Sequence, residues 1–165
     1  MKYLSTPTYN RFDSPLGPML AAATDQGLCG LWFDGQRHLP AMATWQPAPQ
    51  HPLLQQTAIF MDAYFAGETA PFSLPLDLAG GTPFQQAVWQ ALLQIPRGAT
   101  TSYGALSQTL GRPSAVRAVA SAVGHNPISV LVPCHRVVGI DGSLTGYAGG
   151  LGRKTALLQL EGVVV

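Results

Sequence analysis

Two adjacent side chains in the second half of the sequence, Cys134 and His135, could carry out thiol chemistry. They follow a mostly apolar, β-branched run, Ile128 to Pro133, which predicts a buried extended segment. Arg136 comes next, so the thiol would lie where the core opens, in an electropositive setting that favours thiolate. The alternative is that Cys134 is a small buried hydrophobe, as most free cysteines are. The pattern makes Cys134 a candidate nucleophile.

A thiol nucleophile needs a base, and the base needs an orienting group. Asp141 lies in a glycine-flanked turn, where bonding to its own backbone explains it. Glu161 closes a predicted helix, Leu151 to Leu160, at the end where a negative charge is mildly unfavourable, and pairing with His135 would justify it. Because adjacent side chains of an extended chain point to opposite faces, contact between Cys134 and His135 requires a turn or a bridging water.

The other cysteine, Cys29, has no charged neighbour in sequence, which favours structural burial. The N-terminus lacks an apolar export segment and the two cysteines lie far apart, so we expect reduced thiols in a soluble, cytoplasmic protein. No run approaches the roughly 18 apolar residues of a membrane span. No pair of Cys or His residues has zinc-like spacing, so we expect neither a metal nor a cofactor.

Charge is distributed unevenly along the 165 residues, of which 47% are hydrophobic and 10% charged. Residues 1–82 carry three basic and six acidic side chains, and residues 83–165 carry six basic and two acidic ones, so net charges of −3 and +4 sum to +1. A basic half is weak support for a polyanionic partner.

The first half alternates short apolar runs with Gly, Pro and Asp, which predicts a small antiparallel sheet. Leu53 to Phe65 has the spacing of an amphipathic helix, and Phe72 to Leu78 could add a strand. A Gly-Gly linker followed by Thr82-Pro83, an N-cap with proline at the first helical position, predicts domains at 1–80 and 82–165. The first helix of the second domain is expected at Phe84 to Ile95.

A helix-turn-helix is predicted between Ser102 and Gly124. Ser102 can cap a helix through Leu110, and Ser114 can cap a second helix, Ala115 to Val123. The second helix carries mostly Ala and Ser around one large cation, Arg117. Either it packs tightly against another helix, or it is trimmed to approach the narrow minor groove of DNA. The fold class is therefore α/β (α+β): an N-terminal antiparallel sheet with a helix, then a mostly helical, winged helix-turn-helix-like domain.

The pentapeptide Pro133-Cys134-His135-Arg136-Val137 resembles that of the O6-alkylguanine-DNA alkyltransferases, where it surrounds the alkyl-accepting cysteine. Further matching motifs occur in the same order and spacing over about half of the chain: Thr82-Pro83-Phe84-Gln85, Ile95-Pro96-Arg97-Gly98, Ser102-Tyr103-Gly104, Arg117-Ala118-Val119, Asn126-Pro127, residues 144–151 and Leu160-Glu161-Gly162.

The resemblance implies direct-reversal DNA repair, in which an alkyl group moves irreversibly from guanine O6, and from thymine O4, to Cys134. His135, acting through water and supported by Glu161, would take the thiol proton. Asn126 would shape the turn before the active-site segment. Tyr103 would help to turn the nucleotide out of the duplex and protonate the leaving base, a step that a buried thiol requires.

The resemblance also implies double-stranded DNA as partner, bound through the minor groove by a monomer, with cooperative binding left open. The expected DNA contacts are Arg117 as an arginine finger, Tyr103, Ser114, Ala115 and Ala118. The expected base pocket consists of Tyr103, Val123, Val137, Tyr147 and Ala148, and Ala148 stands where some relatives have serine.

Two other functions remain as alternatives. The first is a helix-turn-helix module that recognises DNA damage and in which Cys134 has no chemical role. The second is a thiol hydrolase that uses Cys134, His135 and Glu161 to cleave a small ester or peptide over many turnovers.

Overall fold

A four-stranded sheet forms the first layer of the computed structural model, which describes residues 1–165. Strands β1 (Thr8–Phe12), β2 (Met19–Thr24) and β3 (Gly27–Phe33) make an antiparallel meander, and β4 (Gln46–Pro47) pairs in parallel with β1. The sheet order is β3-β2-β1-β4. The predicted antiparallel sheet is confirmed, with one short parallel strand added at its edge.

Helix α1 (Pro52–Phe65) packs on this sheet and begins within one residue of the expected position. The segment Phe72 to Leu78 is not a strand, so that prediction is wrong. Only Leu76 forms a bridge, with Leu28 of β3. Pro75 contributes a carbonyl to the Leu28 N–H but has no N–H of its own, which prevents a continuous ladder.

Helix α2 (Pro83–Leu92) begins with a capping box, in which Thr82 and Gln85 exchange side-chain and backbone hydrogen bonds. It ends at Leu92, short of the expected Ile95. The N–H of Ile95 bonds to the Leu92 carbonyl in a tighter turn. Pro96 disfavours helical geometry in the residue before it, which accounts for the earlier end.

Helices α3 (Tyr103–Thr109) and α4 (Val116–Gly124) form the predicted helix-turn-helix. The Ser102 hydroxyl accepts from the Ala105 N–H at 3.0 Å, as expected of an N-cap. Ser114, however, does not cap α4: the N-cap is Ala115, without a side-chain bond. The Ala115 N–H bonds back to Arg112, which closes a turn containing Ser114 and delays the helix by one residue.

The remaining elements are β5 (Thr101–Ser102), β6 (Val137–Val138), which pairs in parallel with β5, and α5 (Leu151–Leu160). Residues from both halves of the chain share one hydrophobic core, including Leu31 and Phe33 of β3 and Val119 of α4. Leu31 also hydrogen bonds through its backbone to Pro127 and Ser129, shortly before Cys134. The sheet thereby supports the segment that carries the thiol.

None of the helices is both long enough and apolar enough to cross a membrane.

Candidate active site

The segment before Cys134 is a buried turn, so the prediction of an extended run over Ile128 to Pro133 is wrong. The Val132 N–H bonds to the Ile128 carbonyl at 3.0 Å, and Val130 has a φ of 71°, unusual for a β-branched residue. The Asn126 amide bonds the Ile128 N–H at 3.0 Å and the Val132 carbonyl at 2.7 Å. These local bonds satisfy backbone groups that a strand would have paired with a neighbour.

Cys134 opens a single turn of 3-10 helix, Cys134–Arg136, rather than ending a strand. In this turn the side chains of Cys134 and His135 do not point to opposite faces, as they would in an extended chain. Cys134 is 6% exposed, and burial raises the pKa of its thiol above the ordinary value. The Asn126 amide and the Lys154 ammonium act in the opposite direction. At neutral pH the resting thiol is therefore protonated and needs a base.

His135 is fully buried and pairs with Glu161, as the sequence suggested. Its Nε2 lies 2.9 Å from Glu161 Oε1, whereas Nδ1 has no hydrogen-bond partner. Burial lowers the pKa of His135 although the bond to Glu161 favours the charged ring. A neutral ring that donates from Nε2 to the carboxylate keeps its Nδ1 lone pair free to accept a proton.

Glu161 accepts four hydrogen bonds, three of them from residues that the sequence did not assign to it. Arg136 donates from Nε and from Nη2, both at 2.8 Å, and the Tyr64 hydroxyl donates at 2.8 Å. Burial alone would raise the pKa of the Glu161 carboxyl, but the bonds and charges of His135 and Arg136 together hold it well below its usual range. Glu161 thus stays ionised behind His135.

A cavity of about 550 Å³ opens onto Cys134. Four residues expected in the base pocket line it together with the thiol: Tyr103, Val123, Tyr147 and Ala148. Val137 does not line the cavity, because it is fully buried in β6. The Tyr103 hydroxyl donates to the Thr145 carbonyl at 3.1 Å, and burial raises the pKa of Tyr103, so its proton is retained.

Tyr147 packs closely against Gly149. A Cβ at Gly149 would lie 2.6 Å from the Tyr147 ring, inside van der Waals contact. Glycine at this position therefore allows the ring to form the cavity wall.

A fully buried lysine, Lys154, lies close to the same wall. Its Nζ donates to the carbonyls of Val137, Thr145 and Gly146, the last two at 3.2 Å. Burial lowers the pKa of Lys154 to about 8, whereas the charge of Cys134 acts to raise it. The ammonium holds β6 and the loop before Tyr147 together. Nothing in the sequence pattern distinguished this lysine from an exposed cation of an amphipathic helix.

The expected DNA-contacting residues lie on an outer face. Arg117, Ser114 and Ala118 are exposed and Ala115 is half-buried, while Val119 of the same helix is buried in the core. Trp89 of α2 donates to the Ala122 carbonyl of α4 at 2.8 Å. The packing interpretation of the small residues is therefore confirmed for the face of α4 that contacts α2, and the opposite face is open to solvent.

Cys29 is fully buried in a small apolar cluster with Trp32 and Trp45, and burial raises the pKa of its thiol to about 12. The predicted structural burial of Cys29 is confirmed. Both cysteines are free. No three His, Cys, Asp or Glu side chains are grouped so that they could hold a metal ion.

Two family descriptions match the chain in succession. Residues 8–78 match the 6-O-methylguanine DNA methyltransferase, ribonuclease-like domain, and residues 83–163 match the 6-O-methylguanine DNA methyltransferase, DNA binding domain. The chain belongs to the 6-O-methylguanine DNA methyltransferase family. The resemblance of the Cys134 pentapeptide to this family is thereby confirmed.

Members of this family from other organisms are similar to this chain along most of their length. The methylated-DNA–protein-cysteine methyltransferase of Mycobacterium tuberculosis (strain ATCC 25618 / H37Rv) is 48% identical over 153 residues, 93% of this chain and 91% of the relative. The protein of the same description from Haemophilus influenzae is 42% identical over 154 residues, 93% of this chain and 85% of the relative.

Solved structures of the family have the same fold. The Mycobacterium tuberculosis OGT in complex with DNA superposes with a TM-score of 0.86 at 47% identity, covering 93% of this chain and 92% of that chain. The O6-methylguanine-DNA methyltransferase of Pyrococcus kodakaraensis strain KOD1 gives a TM-score of 0.63 at 25% identity, covering 96% and 100%.

Proposed function

We propose that the chain repairs DNA by moving a methyl or larger alkyl group from O6 of guanine to Sγ of Cys134. The observation that carries the proposal is the Cys134 thiol opening into a cavity with the buried His135–Glu161 pair beside it. In one displacement the S–C bond forms and the C–O6 bond breaks, so guanine leaves and a thioether remains. No group in the site is suited to cleave a thioether, hence one turnover per molecule.

Activation of the thiol follows from the protonation states of the site. The Cys134 proton passes to Nδ1 of His135, through a water molecule, as the sulfur becomes nucleophilic. Glu161 stabilises the imidazolium that forms, and its carboxylate is held in place by Arg136 and Tyr64. Tyr103, which lines the cavity and keeps its proton, supplies a proton to the departing base.

Double-stranded DNA is the proposed partner. The thiol is almost completely buried, so a base stacked in a duplex is out of its reach and the nucleotide must be turned out into the cavity. The exposed face of α4 carries small side chains, which would let it approach the minor groove, and the exposed Arg117 would fill the vacated space. The related Mycobacterium tuberculosis OGT has been crystallised with DNA, which supports this assignment.

Further parts of the proposal concern substrates, organisation and compartment. The same cavity would accept O4-alkylthymine, and the chain would act as a monomer. Residues 82–165 would supply DNA contacts and chemistry while residues 1–80 support the active-site segment. We also propose that the activity is cytoplasmic, because thiols are kept reduced in that compartment.

The proposal is tested with duplex DNA that carries radiolabelled O6-methylguanine. We expect label to move to the protein, up to one equivalent, and to remain on the peptide that contains Cys134. Cys134→Ala should abolish transfer, and Cys29→Ala is the matched control that should retain it. Retained activity in Cys134→Ala would favour a damage-binding module, and release of more than one equivalent of product would favour a hydrolase; either result would contradict the proposal.

A further inference from the structure

A stacked pair of imidazole rings lies between the Cys134 cavity and a second cavity. The rings of His38 and His125 have centroids 3.9 Å apart and planes inclined by 30°. Both residues line the Cys134 cavity of about 550 Å³, and both line a neighbouring cavity of about 540 Å³. The pair therefore forms a wall that the two cavities share.

The two sides of this wall are anchored differently. His125 follows α4, and its Nδ1 lies 2.8 Å from the Ser121 carbonyl, so it donates there and is fixed to the helix. His38 is exposed, lies in the long connection between β3 and β4, and has a φ of 63°, unfavourable for a residue other than glycine. Next to it, the Arg37 N–H bonds to the Ala148 carbonyl at 3.0 Å. The side chain of His38 is thus held less firmly than that of His125.

The second cavity is lined by aromatic, aliphatic and polar side chains, the last including Gln85. Tyr3, Leu39 and Trp45 contribute aromatic and aliphatic surface to it, and Ala41 also lines it. Trp45 and Tyr3 also pack edge to face, with centroids 5.9 Å apart. Such a surface suits an apolar or aryl group, which would bury its rings against these side chains.

We propose that the His38–His125 pair is a movable partition that sets the size of the O6 adduct this chain accepts. With the rings stacked, the two cavities are separate; when His38 swings out, they join and the far end of a benzyl-type adduct enters the second cavity. An aromatic pair of this kind shifts an equilibrium by only about two- to tenfold, so a ligand can displace it. The inference rests on the proposed function, because it concerns the substrates of the same thiol.

The test compares single-turnover transfer from duplexes that carry O6-methylguanine or O6-benzylguanine. His38→Asn shortens the side chain and tolerates positive φ, so it removes the stack with little backbone strain. We expect it to raise the ratio of the benzyl to the methyl rate by about twofold to tenfold, because the variant loses the contribution of the stacked pair. Adding Ala41→Phe, which fills the second cavity, should return the ratio to that of the unsubstituted chain.

An unchanged ratio in His38→Asn would overturn the partition, as would a gain that survives Ala41→Phe. Equal changes in both rates would assign the pair to a DNA contact and would also overturn it. Methyl transfer by the unsubstituted chain is measured in the same assay: its absence overturns the proposed function itself, whereas its presence with an unchanged ratio overturns only the partition. Retained methyl transfer also shows that each variant is folded.

Discussion

Arg136 and Glu161 form a two-pronged ion pair, with Nε 2.8 Å from Oε2 and Nη2 2.8 Å from Oε1. The third guanidinium nitrogen, Nη1, donates to the Ile95 carbonyl at 2.6 Å. Fork geometry of this kind fixes a carboxylate in orientation as well as in charge. Because His135 bonds to the same carboxylate, the pair holds the imidazole in one orientation.

Glu161→Gln should slow transfer from free O6-benzylguanine to Cys134 by about a hundredfold, the lower end of the range of general-base contributions. The amide keeps the shape of the carboxylate but cannot stabilise the imidazolium or satisfy Arg136. Rates are measured from the appearance of S-benzylated protein. Gln159→Ala, an exposed change on the same helix, is the control that should leave the rate unaltered. An unchanged rate in Glu161→Gln would exclude the carboxylate from thiol activation.

Tyr64→Phe removes one hydrogen bond to Glu161 but keeps the ring beneath Arg97, whose guanidinium carbon lies 5.2 Å from the ring centroid. A bond to a charged group contributes about 1.5–3 kcal/mol, so we expect a loss of that order in the free energy of unfolding. Urea denaturation measures it. Tyr9→Phe, at a half-buried tyrosine of β1, should change stability by no more than about 0.5 kcal/mol. Equal losses in both variants would deny Tyr64 a specific role.

Acid should destabilise the protein through Glu161. Its folded pKa lies below the ordinary value of 4.5, so the unfolded chain binds a proton first. The stabilisation is fully present above about pH 4.5 and is lost as the pH falls below it. The free energy of unfolding should therefore fall between pH 4.5 and pH 3, and the fall should be smaller in Glu161→Gln. Parallel pH profiles for the two proteins would contradict this linkage.

Lys154→Met preserves much of the buried stem but removes three donors, leaving the carbonyls of Val137, Thr145 and Gly146 without that partner. An unsatisfied buried acceptor costs about 1–3 kcal/mol. We expect lower stability and, because these carbonyls adjoin the cavity wall, slower reaction with the free base. Crystallography of the variant would show whether the loop at residues 145–147 has moved. Stability and rate both equal to those of the unsubstituted chain would show that the ammonium is dispensable.

Arg117→Ala should slow repair in duplex DNA by at least about tenfold, because the space left by the extruded nucleotide would stay unfilled. On the free base it should have less than about a twofold effect, since no extrusion is needed. Arg112→Ala is a matched control: Arg112 is also exposed but lies in the turn before α4, over the ring of Phe84. Equal losses on both substrates would remove Arg117 from base extrusion.

Capping residues in the sequence predicted where some of the helices begin. Thr82-Pro83 and Ser102 mark helix starts that the structure reproduces, because capping depends on a few neighbouring residues. Ser114 has the same residue type but lies in a turn closed by Arg112 and Ala115, which composition did not indicate. The apolar run before Cys134 has the sequence pattern of a buried strand, although it forms a buried turn. Periodicity alone cannot distinguish the two.

The sequence predicted the central residues of the candidate site but not the residues that surround and support them. Cys134, His135 and Glu161 were identified by residue type, neighbours and resemblance. Tyr64 is separated from Glu161 by 97 positions, and Arg136 from Ile95 by 41, so these contacts depend on tertiary packing. The role of Lys154 was not predicted, because a lysine in a helix is normally solvated.

The hydrogen bond from Tyr64 to Glu161 also means that the site cannot assemble until both halves of the chain have been synthesised. The nucleophile is followed by its base, but the carboxylate that orients the base emerges 26 positions after His135, and it must then meet a tyrosine placed in the first half. Contacts so distant in sequence form late, since loop closure precedes any gain from them. Activation of Cys134 through His135 therefore requires the completed fold, because a nascent or partly unfolded chain lacks the assembled contacts of His135, Glu161 and Tyr64.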